Sequence, residues 1–369
     1  MIRILCSIGT RPEAIKMAPV IDALAGEPWA EVRVLATGQH RELLEDVNRV
    51  YRIEPHVNLD VMRANQTLPE LTGRLATGLD EVLEREAPHV VLAQGDTTSV
   101  FMTALACFYR KIPFGHVEAG LRTGKIYYPF PEEMNRVLTS RLTSFHFAPT
   151  ESSRANLLRE GTDPNTIFVT GNTVIDALYR TRERARAVKL ELTNGRRLIL
   201  MTAHRRENFG PAFREVCQGA RDLVETVPDS ELIYPVHPNP NVVAVANEVM
   251  GNHPRIRLTK PMDHLHFVAA MDRSTIIITD SGGIQEEAPA LGKPVLVFRR
   301  ETERPEAVEQ GCAKLVGPDR QTILDEGRRL MTDADYYRSM AKGISPYGDG
   351  RAAERIAQIL KKNFSTMCG

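Results

Sequence analysis

Short apolar runs rich in β-branched residues alternate along the chain with longer amphipathic runs. Apolar runs of about four to eight residues are typical of buried strands, and apolar residues spaced three and four apart are typical of helices. Two of the helical runs are "PEAIKMAPVIDALAG" and "PAFREVCQGARDLVETV". The predicted strands, in chain order, are "IRILCSI", "EVRVLAT", "HVVLAQ", "IPFGHVE", "SFHFA", "TIFVT", "RLILMTA", "ELIYPV", "RIRLT", "TIIITD", "PVLVF" and "AKLVG".

This alternation predicts an α/β protein in which helices cover both faces of parallel sheets. The strands fall into two series, and the break between them lies near Gly171 in "VTGNTVIDALYR". A chain of 369 residues is also too long for one ordinary core and about right for two domains. We therefore expect two doubly wound domains, with a ligand bound beyond the carboxyl ends of their strands.

Composition narrows the class of protein. Apolar residues make up 42% and charged residues 25% of the chain, which is typical of a soluble globular protein. Basic and acidic residues number 47 each, and this balance argues against a nucleic-acid partner. The start, "MIRILCSIG", leads straight into "TRPEAIK", which favours a first strand over a signal peptide.

The lengths of the apolar runs and the spacing of the cysteines bear on cellular location and metal binding. No apolar run approaches the roughly 20 residues needed to span a bilayer, so we expect no membrane partner. The five cysteines are scattered and show no C-x-x-C pair or zinc spacing, which indicates reduced thiols. We expect a cytoplasmic protein without a metal site.

The first predicted helix begins with features that suit an anion. In "GTRPEAIKMAP", Thr10 and Glu13 form a capping-box pattern, and the free amides of the helix start are joined by Arg11 and Lys16. A capped helix with two solvated cations explains the same pattern about equally well.

Carboxylates follow the next predicted strands. Asp96 in "AQGDTTSV" suits a helix N-cap, whereas Glu118 in "HVEAGLRTG" ends a strand and is less readily explained as a cap. Glu132 and Glu133 in "YYPFPEEMNR" lie in a predicted first helical turn, where the helix dipole alone favours acids. Helix capping does not require as many as three carboxylates here. We therefore expect Asp96, Glu118 and Glu132 to face one cleft.

The second series carries groups suited to a phosphoryl ligand. His204, Arg205 and Arg206 follow a predicted strand in "MTAHRRENFG". A lone histidine is more often structural than catalytic, but a histidine with two arginines after a strand suits a phosphoryl or pyrophosphate group. Arg304 in "RETERPEAVEQG" is either a further phosphate contact or a surface ion-pair partner.

The stretch "DSGGIQEEAP" contains two consecutive glycines, which leave the backbone amides accessible. Ser281 can cap the following helix, while Gly282 and Gly283 allow a phosphate to approach the amides closely. One turn later, Glu287 is placed to accept both hydroxyls of a ribose, and Glu286 is expected to be structural. A glycine-rich strand–helix turn without a ligand is the alternative.

Several common motifs do not occur. The sequence contains no G-x-G-x-x-G after a strand, no P-loop, no H-E-x-x-H and no G-x-S-x-G. The missing motifs argue against a bound redox cofactor. With the phosphate and ribose features described above, we expect a nucleotide-sugar protein.

Taken together, long motifs in register resemble the non-hydrolysing UDP-N-acetylglucosamine 2-epimerases. They run from Ile4 to "PYGDGRAAERI" and are "GTRPEAIKMAP", "GDTTS", "HVEAGLRTG", "PEEMNR", "TGNTVIDAL", "AHRREN", "YPVHPNPNV", "DSGGIQEEAP", "GKPVLV" and "TERPEAV". The resemblance implies a glycosyltransferase-B-like fold of two Rossmann-like domains, residues 1–171 and 172–355, with a helix at 356–369 crossing back to the first. It further implies a homodimer without cofactor that interconverts UDP-GlcNAc and UDP-ManNAc for surface polysaccharides.

The resemblance also assigns residues to roles. The catalytic positions are Asp96, Glu118, Glu132 and His204. The substrate-binding positions are Arg11, Lys16, Met262, Phe267, Ser281, Gly282, Gly283, Glu287 and Arg304. A second site, at which UDP-GlcNAc activates bacterial members, would be built from Gln39, His40, Arg41, Gln66, Arg205 and His237.

One segment departs from the family. "PMDHL" stands where the family often has Gln-Glu-Tyr-Leu, and Met262 has no amide side chain to offer to uracil. Either the backbone makes that contact or the base selectivity is looser.

Four other functions remain open from the sequence. The first three are a hydrolysing epimerase that releases UDP and free ManNAc, an epimerase of a 2,3-diacetamido uronic acid sugar, and a retaining glycosyltransferase. The fourth is a silent UDP-sugar sensor, against which the intact acidic residues argue.

Overall fold

The computed structural model describes residues 1–38, 51, 53–63, 65–203, 210–302 and 304–364. The chain forms two compact units, Met1–Ala177 with Tyr347–Gly369 and Leu178–Pro346.

The first unit is built on a parallel sheet of the order β3-β2-β1-β4-β5-β6-β7. Its strands are β1 (Ile2–Ile8), β2 (Ala30–Ala36), β3 (Val57–Asn58), β4 (Val90–Gln94), β5 (Phe114–Val117), β6 (Phe145–Ala148) and β7 (Ile167–Val169). The order reverses between β1 and β4, where the register pairs Ile4 with Val90. The carboxyl ends of these two strands therefore form the switch point at which open α/β sheets bind ligands.

Helices cover both faces of this sheet. They are α1 (Arg11–Ala25), α2 (Leu68–Glu86), α3 (Thr98–Tyr109), α4 (Glu132–Leu142), α5 (Glu151–Arg159) and α6 (Thr173–Ala185). Because successive residues of a strand point to opposite faces, Ile4 and Cys6 pack with the buried side of α1, while Leu5 packs with α2 and α3. This two-sided burial explains why the strands read as continuous apolar runs.

The second unit repeats the plan. Its parallel sheet has the order β10-β9-β8-β11-β12-β13, so its switch point lies between β8 and β11. The strands are β8 (Arg197–Thr202), β9 (Ser230–Pro235), β10 (Ile256–Thr259), β11 (Ser274–Thr279), β12 (Val295–Val297) and β13 (Ala313–Leu315). The helices are α7 (Pro211–Thr226), α8 (Pro240–Met250), α9 (His264–Arg273), α10 (Gly282–Ala290), α11 (Pro305–Glu309), α12 (Arg320–Thr332) and α13 (Ala334–Met340).

The last helix, α14 (Ala352–Phe364), belongs to the first unit. Ile356, Leu360 and Phe364 are buried in the core that contains α1 and β1. Its first amides, at Ala352 and Ala353, donate to the Asp176 carboxylate at 3.2 and 2.9 Å. The division between the units after residue 177 falls inside α6, six residues beyond the predicted break at Gly171.

Every predicted strand overlaps an observed one, and β1 coincides with "IRILCSI". The strand β3 was not predicted, because two residues are too short to give an apolar pattern. Among the described residues, no helix has the length and apolarity that crossing a membrane requires.

Candidate functional site

The sequence-predicted site residues of the first unit follow strands at the carboxyl edge of its sheet. The side chain of Glu13 stabilises the turn from β1 into α1 through hydrogen bonds. Its Oε2 accepts hydrogen bonds from the Gly9 amide at 2.6 Å and the Thr10 amide at 3.3 Å, and Thr10 Oγ1 accepts from the Glu13 amide. The predicted capping box is thus confirmed. A Cβ at Gly9 would lie 2.7 Å from Thr37 Oγ1, so this turn has no room for a side chain there.

Burial strongly shifts the pKa of two groups in the first unit, Glu13 and His116. Desolvation raises the pKa of the buried Glu13 carboxyl to about 7. Desolvation likewise lowers the pKa of His116, on β5, to about 4, and its Nε2 lies 2.7 Å from the Gly95 carbonyl oxygen. The imidazole is therefore neutral near neutral pH.

Asp96 is not the cap of the helix that follows it. Thr97 caps α3 instead, with its side chain accepting from the Val100 amide at 3.3 Å. The Asp96 carboxylate is held by Arg136 of α4, whose Nε and Nη2 both donate to Oδ2, at 3.0 and 2.6 Å. Asn135 also donates to the Asp96 carbonyl oxygen at 2.9 Å. This leaves Asp96 available for chemistry rather than capping.

Glu118 follows β5 in a strained conformation. Its φ is +69°, which is uncommon for a residue other than glycine and costs roughly 1–3 kcal/mol. The carboxylate accepts from Lys16 Nζ at 2.6 Å, from Asn172 Nδ2 at 2.8 Å and from Gln94 Nε2. These contacts join the ends of three strands and the first helix around one carboxylate, and strain of this kind is common at active sites.

The adjacent glutamates at the start of α4 differ in their surroundings. Glu133 Oε1 accepts from the Thr123 and Gly124 amides, both at 2.9 Å, and its Oε2 accepts from Arg136 at 2.7 Å. Glu132 Oε2 is buried and has no hydrogen-bond partner in the described part of the chain. Glu133 therefore holds the preceding loop, while Glu132 retains an unsatisfied acceptor.

Three residues of this site were missed by sequence reasoning. They are Gln94, Arg136 and Asn172. Gln94 ends β4, and Asn172 follows β7. Applying the strand-end rule to neutral amides as well as to acids would have found both.

In the second unit, α10 begins at Gly282 and Ser281 is its N-cap residue. The Ser281 side chain makes no capping hydrogen bond, whereas its amide donates to Thr279 Oγ1 at 2.9 Å. A Cβ at Gly282 would lie 3.1 Å from the Arg304 guanidinium carbon. The start of this helix therefore offers backbone amides beside a cation, which suits an anionic group.

Arg304 is a buried ion-pair partner rather than a surface one. Its Nε donates to Glu286 Oε1 at 2.7 Å, and the Glu286 side chain is completely buried. Glu287 is half-buried, and its Oε1 lies 3.5 Å from the Cβ position of Gly283. The two adjacent glutamates of α10 therefore differ, since Glu286 holds Arg304 and Glu287 faces the helix start.

The remaining predicted residues are placed as follows. Arg11, Met262 and Phe267 are half-buried. Gln66 Oε1 accepts from the Arg63 amide at 3.1 Å, and exposed His237 accepts from the Asn239 amide through Nδ1 at 3.2 Å. The predicted residues outside the described part of the chain are Gln39, His40, Arg41, His204 and Arg205. Within the described ranges, no three His, Cys, Asp or Glu side chains are grouped as metal ligands.

Known proteins match this chain over nearly its whole length. The sequence pattern of the UDP-N-acetylglucosamine 2-epimerase family matches residues 22–361. The UDP-N-acetylglucosamine 2-epimerase of Escherichia coli K12 is 48% identical over 371 residues, covering 98% of this chain and 99% of that protein.

Solved structures agree. The Neisseria meningitidis UDP-GlcNAc 2-epimerase bound to UDP-GlcNAc is 44% identical with a TM-score of 0.92, covering 98% of this chain and 100% of that one. The Methanocaldococcus jannaschii enzyme in complex with UDP-GlcNAc and UDP is 33% identical with a TM-score of 0.81, at the same coverage. These matches and the two parallel sheets confirm the predicted glycosyltransferase-B-like fold class. The chain therefore belongs to the UDP-N-acetylglucosamine 2-epimerase family.

Proposed function

We propose that this protein reversibly inverts C2 of UDP-N-acetylglucosamine to give UDP-N-acetylmannosamine, without hydrolysing the sugar nucleotide. The observation that carries the proposal is the end-to-end match to the E. coli epimerase, which spans the acidic strand-end cluster and the glycine-rich helix start. The relatives solved with UDP-GlcNAc or UDP support the same substrate class.

The chemistry at C2 favours an elimination route. The C2 hydrogen is not adjacent to a carbonyl group, so simple deprotonation is not available. In the proposed route, a carboxylate takes the C2 proton, the C2–H electron pair forms the C1=C2 bond, and the C1–O bond to UDP breaks. The product is 2-acetamidoglucal. UDP then adds back to C1 while C2 is protonated from the opposite face.

The first unit supplies the acid–base groups for this route. We assign Asp96 as the base on one face, because Arg136 orients it through Oδ2 and its Oδ1 makes no hydrogen bond among the described residues. Glu118 and Glu132 serve the other face. The Lys16–Glu118 pair brings both signs of charge to the same edge of the sheet, which suits a transition state with positive charge at C1 and negative charge on the leaving group.

The second unit supplies the leaving-group site. The amides at the start of α10 and the Arg304 guanidinium stabilise charge that develops on the pyrophosphate as C1–O breaks. Glu287 is assigned to the ribose hydroxyls, one turn along the helix. His204 belongs to the same proposal from its place in the sequence, after β8.

Proton NMR of the purified protein with UDP-GlcNAc in D₂O, without added nicotinamide, tests this proposal. We expect UDP-ManNAc with deuterium at C2, because the proton passes through a solvent-exchanging carboxylate. UDP with free ManNAc would identify a hydrolysing enzyme instead. An unchanged sugar would contradict the proposed activity and direct the search to the 2,3-diacetamido uronic acid substrate, a glycosyltransferase acceptor or a sensor role.

We further propose a cytoplasmic homodimer that supplies surface polysaccharide synthesis and is activated by UDP-GlcNAc at a second site. The family resemblance alone supports these points. A strictly hyperbolic rate curve, with UDP-ManNAc alone converted at full speed, would contradict the activation, and light scattering at the mass of one chain would contradict the dimer.

A further inference from the structure

Asn172 is a buried residue to which the proposed mechanism gives no role. Only 2% of it is exposed, and it lies between β7 and the first turn of α6. Its side-chain Nδ2 donates to Glu118 Oε1 at 2.8 Å. A neutral amide is thus buried against one of the carboxylates to which the proposed mechanism assigns acid–base chemistry.

Two further hydrogen bonds fix the direction in which this amide points. Asn172 Oδ1 accepts from the Val174 amide at 3.1 Å, in the first turn of α6. The backbone amide of Asn172 donates to the Tyr347 carbonyl oxygen at 2.6 Å, where the chain re-enters the first unit. Exchanging Oδ1 and Nδ2 would direct an oxygen at the Glu118 carboxylate and an N–H at the Val174 amide. The side chain therefore has one satisfied orientation, with its N–H directed at Glu118.

Glu118 needs contacts of this kind to keep its conformation. Its φ of +69° persists only where the surrounding structure holds the residue in place. Oε1 is shared by Asn172 Nδ2 and Lys16 Nζ, at 2.8 and 2.6 Å, while Gln94 Nε2 donates to Oε2. All three groups are N–H donors, so they stabilise the ionised form of the carboxylate.

We propose that Asn172 is a positioning residue for the epimerisation, because its amide holds the Glu118 carboxylate in place. It acts through Glu118 and does not itself touch the substrate. The inference rests on the proposed function for its catalytic consequence, and on the hydrogen bonds of Asn172 alone for the orientation of Glu118.

The substitution Asn172→Asp separates this role from a structural one. Aspartate has the shape of asparagine, keeps an oxygen that accepts from the Val174 amide, and leaves the backbone bond to Tyr347 unchanged. It removes the donor to Glu118 and sets a second carboxylate beside the first. Since two adjacent carboxylates do not both ionise readily, lowering the pH places a shared proton between them and so restores a donor to Glu118.

Other charged and titratable groups near this pair come from several elements. They are Lys16 of α1, His116 of β5, Asp176 of α6 and Arg355 of α14. Burial lowers the pKa of His116 to about 4, so its imidazole stays neutral in the range tested below. Because all four are the same in wild type and variant, a pH-dependent difference between the two proteins reports the introduced carboxyl group.

Thermal unfolding tests the contact without reference to activity. We expect Asn172→Asp to lower the melting temperature by about 3 °C more at pH 8 than at pH 5.5, because the repulsion is full only when both carboxylates are ionised. In a Glu118→Gln background this pH dependence should disappear, since a glutamine carries no charge to repel. The same pH dependence with and without the Glu118 carboxylate would overturn the proposal.

Asn165→Asp is the matched control for the chemical change. Exposed Asn165 also donates through Nδ2 to a carboxylate, that of Asp163 at 3.0 Å. Because solvent screens exposed charges, this variant should change the melting temperature by less than about 1 °C at either pH. Asn172→Ser is the second variant if Asn172→Asp does not fold, since serine also accepts at a helix start but is too short to reach Glu118.

Kinetics test the catalytic consequence. At pH 8 we expect Asn172→Asp to lower kcat at least about tenfold with KM within about threefold, since displacing a catalytic group by about 1 Å costs up to about a hundredfold. The ratio of variant to wild-type kcat should rise as the pH falls from 8 to 5.5, because the shared proton restores the donor to Glu118. Asn172→Ser should lower kcat by a similar factor at every pH.

A merely structural defect would give Asn172→Asp a ratio that does not change with pH. That result, or an unchanged kcat in both variants, would overturn the positioning role. If wild type does not epimerise UDP-GlcNAc, the proposed function fails, and the melting comparison still decides whether Asn172 holds Glu118.

Discussion

Both hydrogen bonds from Arg136 to the Asp96 carboxylate go to the same oxygen, Oδ2. Oδ1 makes no hydrogen bond among the described residues, and the Asp96 side chain is 31% exposed. In the proposed mechanism, Arg136 therefore orients this carboxylate for proton transfer before the substrate arrives.

We predict that Asp96→Asn lowers the rate of C2 deuterium incorporation by at least about a hundredfold, because an amide cannot accept the proton and general bases contribute about 10²–10⁴-fold. The affinity for UDP should stay within about threefold, since the groups assigned to UDP, the start of α10 and Arg304, belong to the second unit. Asp80→Asn is the control, because Asp80 is an exposed partner of Arg110 at 2.5 Å, away from the strand ends. Turnover of Asp96→Asn within about tenfold of wild type would contradict the base role.

The raised pKa of Glu13 predicts how the free energy of unfolding depends on pH. Burial raises its pKa from the ordinary value of 4.5 to about 7 in the folded protein, so the folded state binds more protons than the unfolded state between these pH values. Stability from this group is full below pH 4.5 and is lost as pH rises through about 7. The total loss is about 3 kcal/mol.

Urea unfolding at pH 5 and pH 8 measures this dependence. Since Glu13→Gln does not titrate, we expect the free energy of unfolding to fall between these pH values by about 2–3 kcal/mol more in wild type than in the variant. Other titrating groups contribute equally to both proteins and cancel in the comparison. Identical changes in the two proteins would mean that Glu13 ionises in the folded state as it does in the unfolded chain.

At the scale of elements, the start of α10 depends on the absence of a side chain at Gly282. A Cβ there would lie 3.1 Å from the Arg304 guanidinium carbon, which is itself fixed by the buried Glu286. Arg304 cannot withdraw without weakening its ion pair with the completely buried Glu286. The glycine therefore keeps the helix start and the arginine together.

We predict that Gly282→Ala weakens UDP binding by about tenfold, because the methyl group displaces Arg304 and shields the helix amides. Isothermal titration calorimetry with UDP measures the change. Gly73→Ala in α2 is the matched control, since a Cβ at Gly73 meets nothing within 4 Å. That variant should keep the UDP affinity and gain up to about 1 kcal/mol of stability from better helix propensity. Equal UDP affinity in wild type and Gly282→Ala would remove α10 from the binding site.

The sequence predicts these elements well wherever burial alone determines them. Apart from the two-residue β3, the strands of both sheets are predicted by their apolar runs, because parallel strands covered on both faces have few polar positions. The capping box of α1 was also found, since its partners are three residues apart. The sequence allows Asp96 to be either the N-cap of α3 or a catalytic residue. In the structure the N-cap is Thr97.

Contacts between distant segments could not be predicted in this way. The amide of Asn172 reaches Glu118 across 54 residues of sequence, and Arg136 reaches Asp96 across 40. No local pattern records such pairings, because they depend on which strands become neighbours in the sheet. The positive φ of Glu118 is equally invisible in sequence, since glutamate rarely adopts it.

At the scale of the whole molecule, the first unit is completed by the end of the chain. α14 lies more than 170 residues after the rest of this unit, yet Ile356, Leu360 and Phe364 are buried with residues of β1 and α1. Lys361 also pairs with Glu27 at 3.1 Å, just beyond the end of α1. The stability of β1, which leads into the turn that contains Arg11, therefore depends on residues of α14 near the other end of the sequence.

We predict that Leu360→Ala destabilises the first unit by about 2–5 kcal/mol, because it removes most of a fully buried side chain and leaves a cavity in its place. Hydrogen–deuterium exchange should show lower protection in peptides from β1 and α1, with peptides from β8 and α7 unchanged, since the two units have separate cores. Leu223→Ala, at a fully buried leucine of α7, is the matched control and should give the reverse pattern. Loss of protection in both units from either substitution would show that they unfold as one, and that α14 stabilises the whole enzyme rather than the unit into which it packs.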